Sequence, residues 1–137
     1  MKYLKILVFV LLTTNILFSE NISEQVVKLI NEGNYDDAIQ LLESEEEQQN
    51  DILLSVAYIG KKDFKTAKVS ALQYWLQHED NVLVNYLLAL ISEELKEFDT
   101  ALVYWENVYK NTKETSLKQL AKKHISVLKR LTKWENI

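Results

Sequence analysis

"KEFDTALVYW" occupies Lys96 to Trp105, and two related stretches precede it: "GNYDDAIQLL" from Gly33 to Leu42 and "KKDFKTAKVS" from Lys61 to Ser70. Each copy sets a polar residue (Asn34, Asp63 or Glu97) before an aromatic (Tyr35, Phe64 or Phe98), then two polar residues and an alanine (Ala38, Ala67 or Ala101). Aromatic and alanine stand three apart, which puts them on one face of a helix. Asn34 and Asp63 are good N-caps, because a short side-chain oxygen can accept an orphan backbone N–H, and Glu97 is a weaker one. Each copy is therefore expected to start a helix.

Before each start runs an apolar-periodic stretch: Val26, Val27, Leu29 and Ile30, then Ile52 to Ile59, then Val82 to Ile91. Only a few residues join each stretch to the helix that follows, which forces the two antiparallel, and a small alanine lets their backbones come close. The alanines lie 29 and then 34 residues apart. A period of this size signals stacked helical hairpins. With no proline and only two glycines among 137 residues, little interrupts regular structure, and the expected class is all-α, about three stacked antiparallel hairpins.

After the third copy, Leu117, Leu120, Ala121, His124, Val127, Leu128, Leu131 and Trp134 form a broad apolar stripe at helical spacing. This predicts a capping helix over residues 116–134, begun by a Ser116/Gln119 capping box and faced with Lys118, Lys122, Lys129, Arg130 and Lys133. Residues 20–137 thus form one domain.

At the other end, "MKYLKILVFVLLTTNILFSEN" orders basic, apolar and small or polar residues as a secretory signal peptide does, over residues 1–19. Its uninterrupted apolar run, Ile6 to Leu12, is well short of the roughly 20 residues a spanning helix needs, so an uncleaved anchor fits less well. The expectation is an exported protein, periplasmic or envelope-associated. Without residues 1–19 the chain holds 14 basic against 20 acidic residues, a sign that suits phosphate backbones poorly, and no nucleic-acid partner is expected.

Chemistry is sparse. The chain has no cysteine, hence no disulfide and no thiolate nucleophile or zinc ligand. His78 and His124 lack the spacing of a helical metal site; His78 reads as a cation near a helix end and His124 as a half-buried member of the capping stripe. Glu45, Glu46 and Glu47 lack the alternating oxygen ligands and turn glycine of a calcium loop, and "NIS" at Asn21 is too short a triplet to mean much. Trp75, Trp105 and Trp134 read as packing between hairpins. No catalytic residue, cofactor, metal or small-molecule substrate is expected, and the chain reads as a noncatalytic protein.

The "NYDDA", "DFKTA" and "EFDTA" stretches resemble the second helix of the tetratricopeptide repeat (TPR) family, over roughly residues 20 to 113. The first spacing is five residues short, through the "SEEEQQND" connection or a shorter helix on either side. The family's closing proline is absent, and its small first-helix residue survives as Ser55 and Ala89, with Val26 in the first copy. The resemblance implies a concave groove along the first helices, lined here by Ser23, Val27, Ile30 and Asn31, then Ile52, Val56, Ile59 and Gly60, then Tyr86, Leu90, Glu93 and Glu94. Val27, Val56 and Leu90 fall where the family's carboxylate readers carry asparagine, so the implied ligand is an apolar or helical segment of another protein, an envelope protein being one candidate. The same aliphatic row suits sealing by the chain's own N-terminal segment equally well.

Charge suggests an alternative: residues 20–51 are acid-rich and residues 113–133 lysine-rich, an asymmetry that would let copies join head to tail as a self-assembling structural homo-oligomer.

Overall fold

A computed structural model describes residues 22–44 and 50–135, so the expected leader, Asn21 and the Glu45–Glu47 run lie outside the described residues, as does the Trp134 side chain. The described residues form seven helices and no strand: α1 Ile22–Asn31, α2 Tyr35–Glu43, α3 Asn50–Gly60, α4 Phe64–Trp75, α5 Val82–Glu94, α6 Phe98–Asn111 and α7 Thr115–Glu135. Each helix packs on the next, giving hairpins α1/α2, α3/α4 and α5/α6 with α7 against α6. In addition α1 touches α3 and α3 touches α5, so the first helices of the three hairpins stand in one row. Among the described residues no helix is long and apolar enough to cross a membrane.

The three hairpin turns share one geometry. In each, the middle residue has a left-handed backbone: Gly33 at φ 79°, Lys62 at 62° and Lys96 at 60°. The middle N–H donates to the carbonyl three residues back (Gly33 to Ile30, Lys62 to Ile59, Lys96 to Glu93), and the next N–H to the carbonyl five back (Asn34 to Leu29, Asp63 to Tyr58, Glu97 to Ser92), at 2.8–3.1 Å. This double closure satisfies carbonyls that the ending helix leaves orphaned and turns the chain in three residues.

Of the expected N-caps, Asp63 performs as one: its carboxylate accepts from Thr66 N at 3.2 Å and Thr66 Oγ1 at 2.7 Å. Those bonds hold its pKa below the ordinary carboxylate value. The folded value being the lower one, this contribution is intact above the ordinary value and fades as pH falls through the depressed one. Asn34 is a correction, since its amide donates to Glu32 at 3.4 Å and caps nothing. Glu97 also makes no cap; its carboxylate pairs with Lys68 of the preceding hairpin. An unforeseen cap is Asn81, which accepts from Val84 N at 3.1 Å and starts α5.

Ala38, Ala67 and Ala101 are fully buried, and so are Val26, Ser55 and Ala89 on the first helices. Small residues on both partners let each hairpin close tightly. The five-residue shortfall in the first copy is shared by two helices: α2 has 9 residues against 12 in α4, and α3 has 11 against 13 in α5. Within the "SEEEQQND" stretch, residues 45–49 lie outside the described residues. Where the first hairpin meets the second, the Tyr35 ring lies over Gly60, with ring carbons 2.3–2.7 Å from where a Cβ would stand. Asn50 Nδ2 donates to Leu42 O at 3.2 Å across the same junction.

Two cores result. Val26, Ala38 and Leu42 anchor the smaller, inside the first hairpin, with Leu53 and Leu54 of α3 against it. The larger joins α4 to α7 around Ala71, Val84, Leu88, Ile91, Trp105, Val108, Ala121 and Leu128. Within it Asn85, fully buried, makes four bonds: Oδ1 accepts from Trp75 Nε1 (3.3 Å) and Asn107 Nδ2 (3.2 Å), and Nδ2 donates to Glu79 O (2.6 Å) and Asn81 O (2.8 Å). A buried amide satisfied on every side fixes how α4, α5 and α6 meet.

The capping helix begins at Thr115, one residue before the expected start. The Ser116/Gln119 box does not form: Ser116 Oγ bonds to the Glu114 carboxylate at 2.5 Å, and the Glu114 carbonyl accepts the first helical bond from Lys118 N. Thr112 Oγ1, accepting from Glu114 N at 3.2 Å, had already set the turn.

Because a left-handed backbone costs a residue with a Cβ about 1–2 kcal/mol, Lys62→Gly and Lys96→Gly are each expected to stabilise the fold by about 0.5–1 kcal/mol after the added unfolded-state entropy. Denaturant midpoints measure this; destabilisation by both would contradict the turn geometry.

Candidate binding groove

The row α1, α3, α5 places the groove residues in register. Val27, Val56 and Leu90 each directly follow the fully buried small residue of their helix (Val26, Ser55, Ala89). Ile30, Ile59 and Glu93 stand four residues beyond that same position, and Ile52 and Tyr86 three before it, with Ser23 equivalent in α1. Helical spacing turns these into three parallel rows running across the three helices.

None of the twelve expected groove residues is buried. Val27 is 44% exposed, and Ile30, Ile52, Val56, Ile59, Tyr86, Leu90 and Glu93 are part-exposed. Ile59, Tyr86 and Leu90 lean on the larger core and Ile30 on the smaller, while Val27, Ile52 and Val56 belong to neither. The outlying positions differ. Gly60 lies under the Tyr35 ring, and Asn31 and Glu94 are exposed.

Glu93 is tied to the protein itself. Its Oε1 accepts from Trp105 Nε1 at 2.5 Å and lies 2.6 Å from His124 Nδ1. A carboxylate without a proton only accepts, so Nδ1 carries the hydrogen here. The His124 ring stacks on Trp105 with centroids 4.2 Å apart, and Tyr86 meets the indole edge-on at 5.6 Å. Trp105 is fully buried, which leaves the Glu93 carboxylate as the partner its N–H needs. Glu93 thereby links α5, α6 and α7, and the groove's third rung is an aromatic and polar knot beside an aliphatic pair of rungs.

Nothing local announces this knot. Trp105 and His124 stand 12 and 31 residues from Glu93, and His124 read as a half-buried member of the capping stripe. His78, near the end of α4, stacks on Tyr74 at 4.2 Å with its Nδ1 3.1 Å from the Tyr74 carbonyl. Among the described residues no group of three His, Cys, Asp or Glu side chains could hold a metal ion.

No family model matches the chain, and no curated protein matches it.

Removing the carboxylate should be felt beyond its own surface. Glu93→Ala strands a buried indole N–H and is expected to cost about 1–3 kcal/mol, whereas its exposed neighbour Glu94→Ala should stay within about 0.5 kcal/mol. Thermal unfolding compares the two; equal effects would remove the structural role given to Glu93.

Proposed function

We propose that this chain is an exported, noncatalytic TPR-like scaffold that holds an apolar or helical segment of another protein against the row α1, α3, α5. One observation carries the reading: Val27, Ile52 and Val56 are aligned on neighbouring helices, part-exposed, and outside both cores. Aligned aliphatic side chains with no core to join offer the regularly spaced anchors that a helix laid in a groove needs. The TPR resemblance supports the reading through repeated hairpins whose first helices adjoin, with buried small residues at the matching positions.

Binding here would rest on apolar area more than on charge, because the Glu93 carboxylate is engaged internally. Affinity should therefore depend weakly on salt. The envelope location rests on the order of residues 1–19 alone.

A photoreactive residue at Val27 or Val56 is expected to crosslink one dominant protein in the producing cell, and the exposed Lys65 on α4 is not. Equal labelling at all three positions would sink the groove. The export reading is separate: N-terminal sequencing of the mature protein should begin near Glu20, and an intact Met1 would overturn it.

A further inference from the structure

A second apolar surface lies on α7. This helix turns Ala121 and Leu128 inward, fully or almost fully buried, with Leu117 and Ile125 part-buried beside them. Leu120, Val127 and Leu131 remain 36%, 45% and 40% exposed. At ~100° per residue these three share an arc of about 40°, centred roughly 90° away from the inward axis. The side chains pointing straight out, Gln119, Ser126 and Arg130, are polar. The apolar stripe thus looks sideways, on the same side of α7 as His124. Exposed Lys123 and Arg130 border it.

The opposite end of the stack is acidic. Over residues 22–44 the first hairpin carries Glu24, Glu32, Asp36, Asp37 and Glu43 against Lys28 alone, all exposed. Leu29 and Leu41, part-exposed, line a shallow depression there with Gln25, Asp37, Gln40 and Ser44. Apolar side chains rimmed by acid at one end therefore face apolar side chains rimmed by lysine and arginine at the other.

We infer that the Leu120/Val127/Leu131 stripe is an interface for the first hairpin of a second copy of this chain, so that molecules stack head to tail. Like charge disfavours a two-fold pairing of α7 with α7, which would bring two lysine-rich helices together. A flat anionic membrane fits less well too, because the outermost face of α7 is polar and the apolar stripe lies a quarter turn away. An acidic helical surface fits both the shape and the charge, and hairpin arrays gain stability by adding neighbours of their own kind. Such a contact uses different surfaces on each molecule, so it extends into short filaments, or into rings where the rotation between copies closes. It joins the α1/α2 hairpin of one molecule to α7 of the next, and charge reversal tests it separately from crosslinking at Val27 and Val56.

Sedimentation of the full chain tests it. At low salt the protein should self-associate with concentration, and high salt should dissolve the assembly. Lys123→Glu with Arg130→Glu, and separately Glu24→Lys with Asp37→Lys, change only exposed side chains and should keep the helical circular dichroism. Each pair is expected to weaken self-association by roughly tenfold or more. Mixing the two variants pairs acidic ends with basic ends and should restore assembly. A monomer at every concentration in low salt overturns the proposal, as does assembly indifferent to both charge reversals or failure of the mixture to reassociate. Binding of the wild-type chain to phosphatidylglycerol vesicles without self-association would overturn it in favour of a membrane surface.

Discussion

The structure depends on how closely two helices can approach. In each hairpin a small or compact residue on the first helix and an alanine on the second are fully buried: Val26 with Ala38, Ser55 with Ala67, Ala89 with Ala101. A larger side chain at any of the alanines would have to push the backbones apart, since interiors are packed to crystal-like density with little room for an added methylene. Everything else follows from that approach distance. The three-residue turns fit because the helices are near, and the first helices line up because each hairpin has nearly the same thickness as the next.

Polar groups then decide which rung is rigid. The third hairpin holds Asn85, with four bonds to three parts of the chain, and Glu93, with an indole and an imidazole on one oxygen. Low-dielectric surroundings strengthen such bonds and make their loss expensive, so this part of the stack is specified more tightly than aliphatic packing alone could do. The second rung has no such device at Ile52 and Val56. Polar specification is therefore concentrated in α5 to α7.

The hairpins were legible because their signal is local: an aromatic and an alanine three apart mark a helix wherever they occur. Their turns were less so. Only Gly33 carries the residue that a left-handed position favours, and Lys62 and Lys96 occupy equivalent sites under strain that no propensity scale anticipates. Caps misled where competing partners were near, as with Asn34 beside Glu32 and Ser116 beside Glu114. The groove rows could be laid out from spacing, yet Glu93 could not be recognised as engaged, because its partners come from two other helices. Asn85 was invisible for the same reason. An asparagine within an apolar run says nothing of the indole that will reach it.

The unequal cores carry a consequence for the order in which the stack assembles. Among the described residues, three buried apolar side chains form the cluster inside the first hairpin, with Leu53 and Leu54 of α3 against it, whereas twelve form the cluster that joins α4 through α7. Opening costs least where fewest apolar contacts are broken, so amide hydrogens of α1 and α2 should exchange ahead of those in α5 and α6. A ribosome delivers the weak end first. Its two helices gain the support of Leu53 and Leu54 only once α3 is in place.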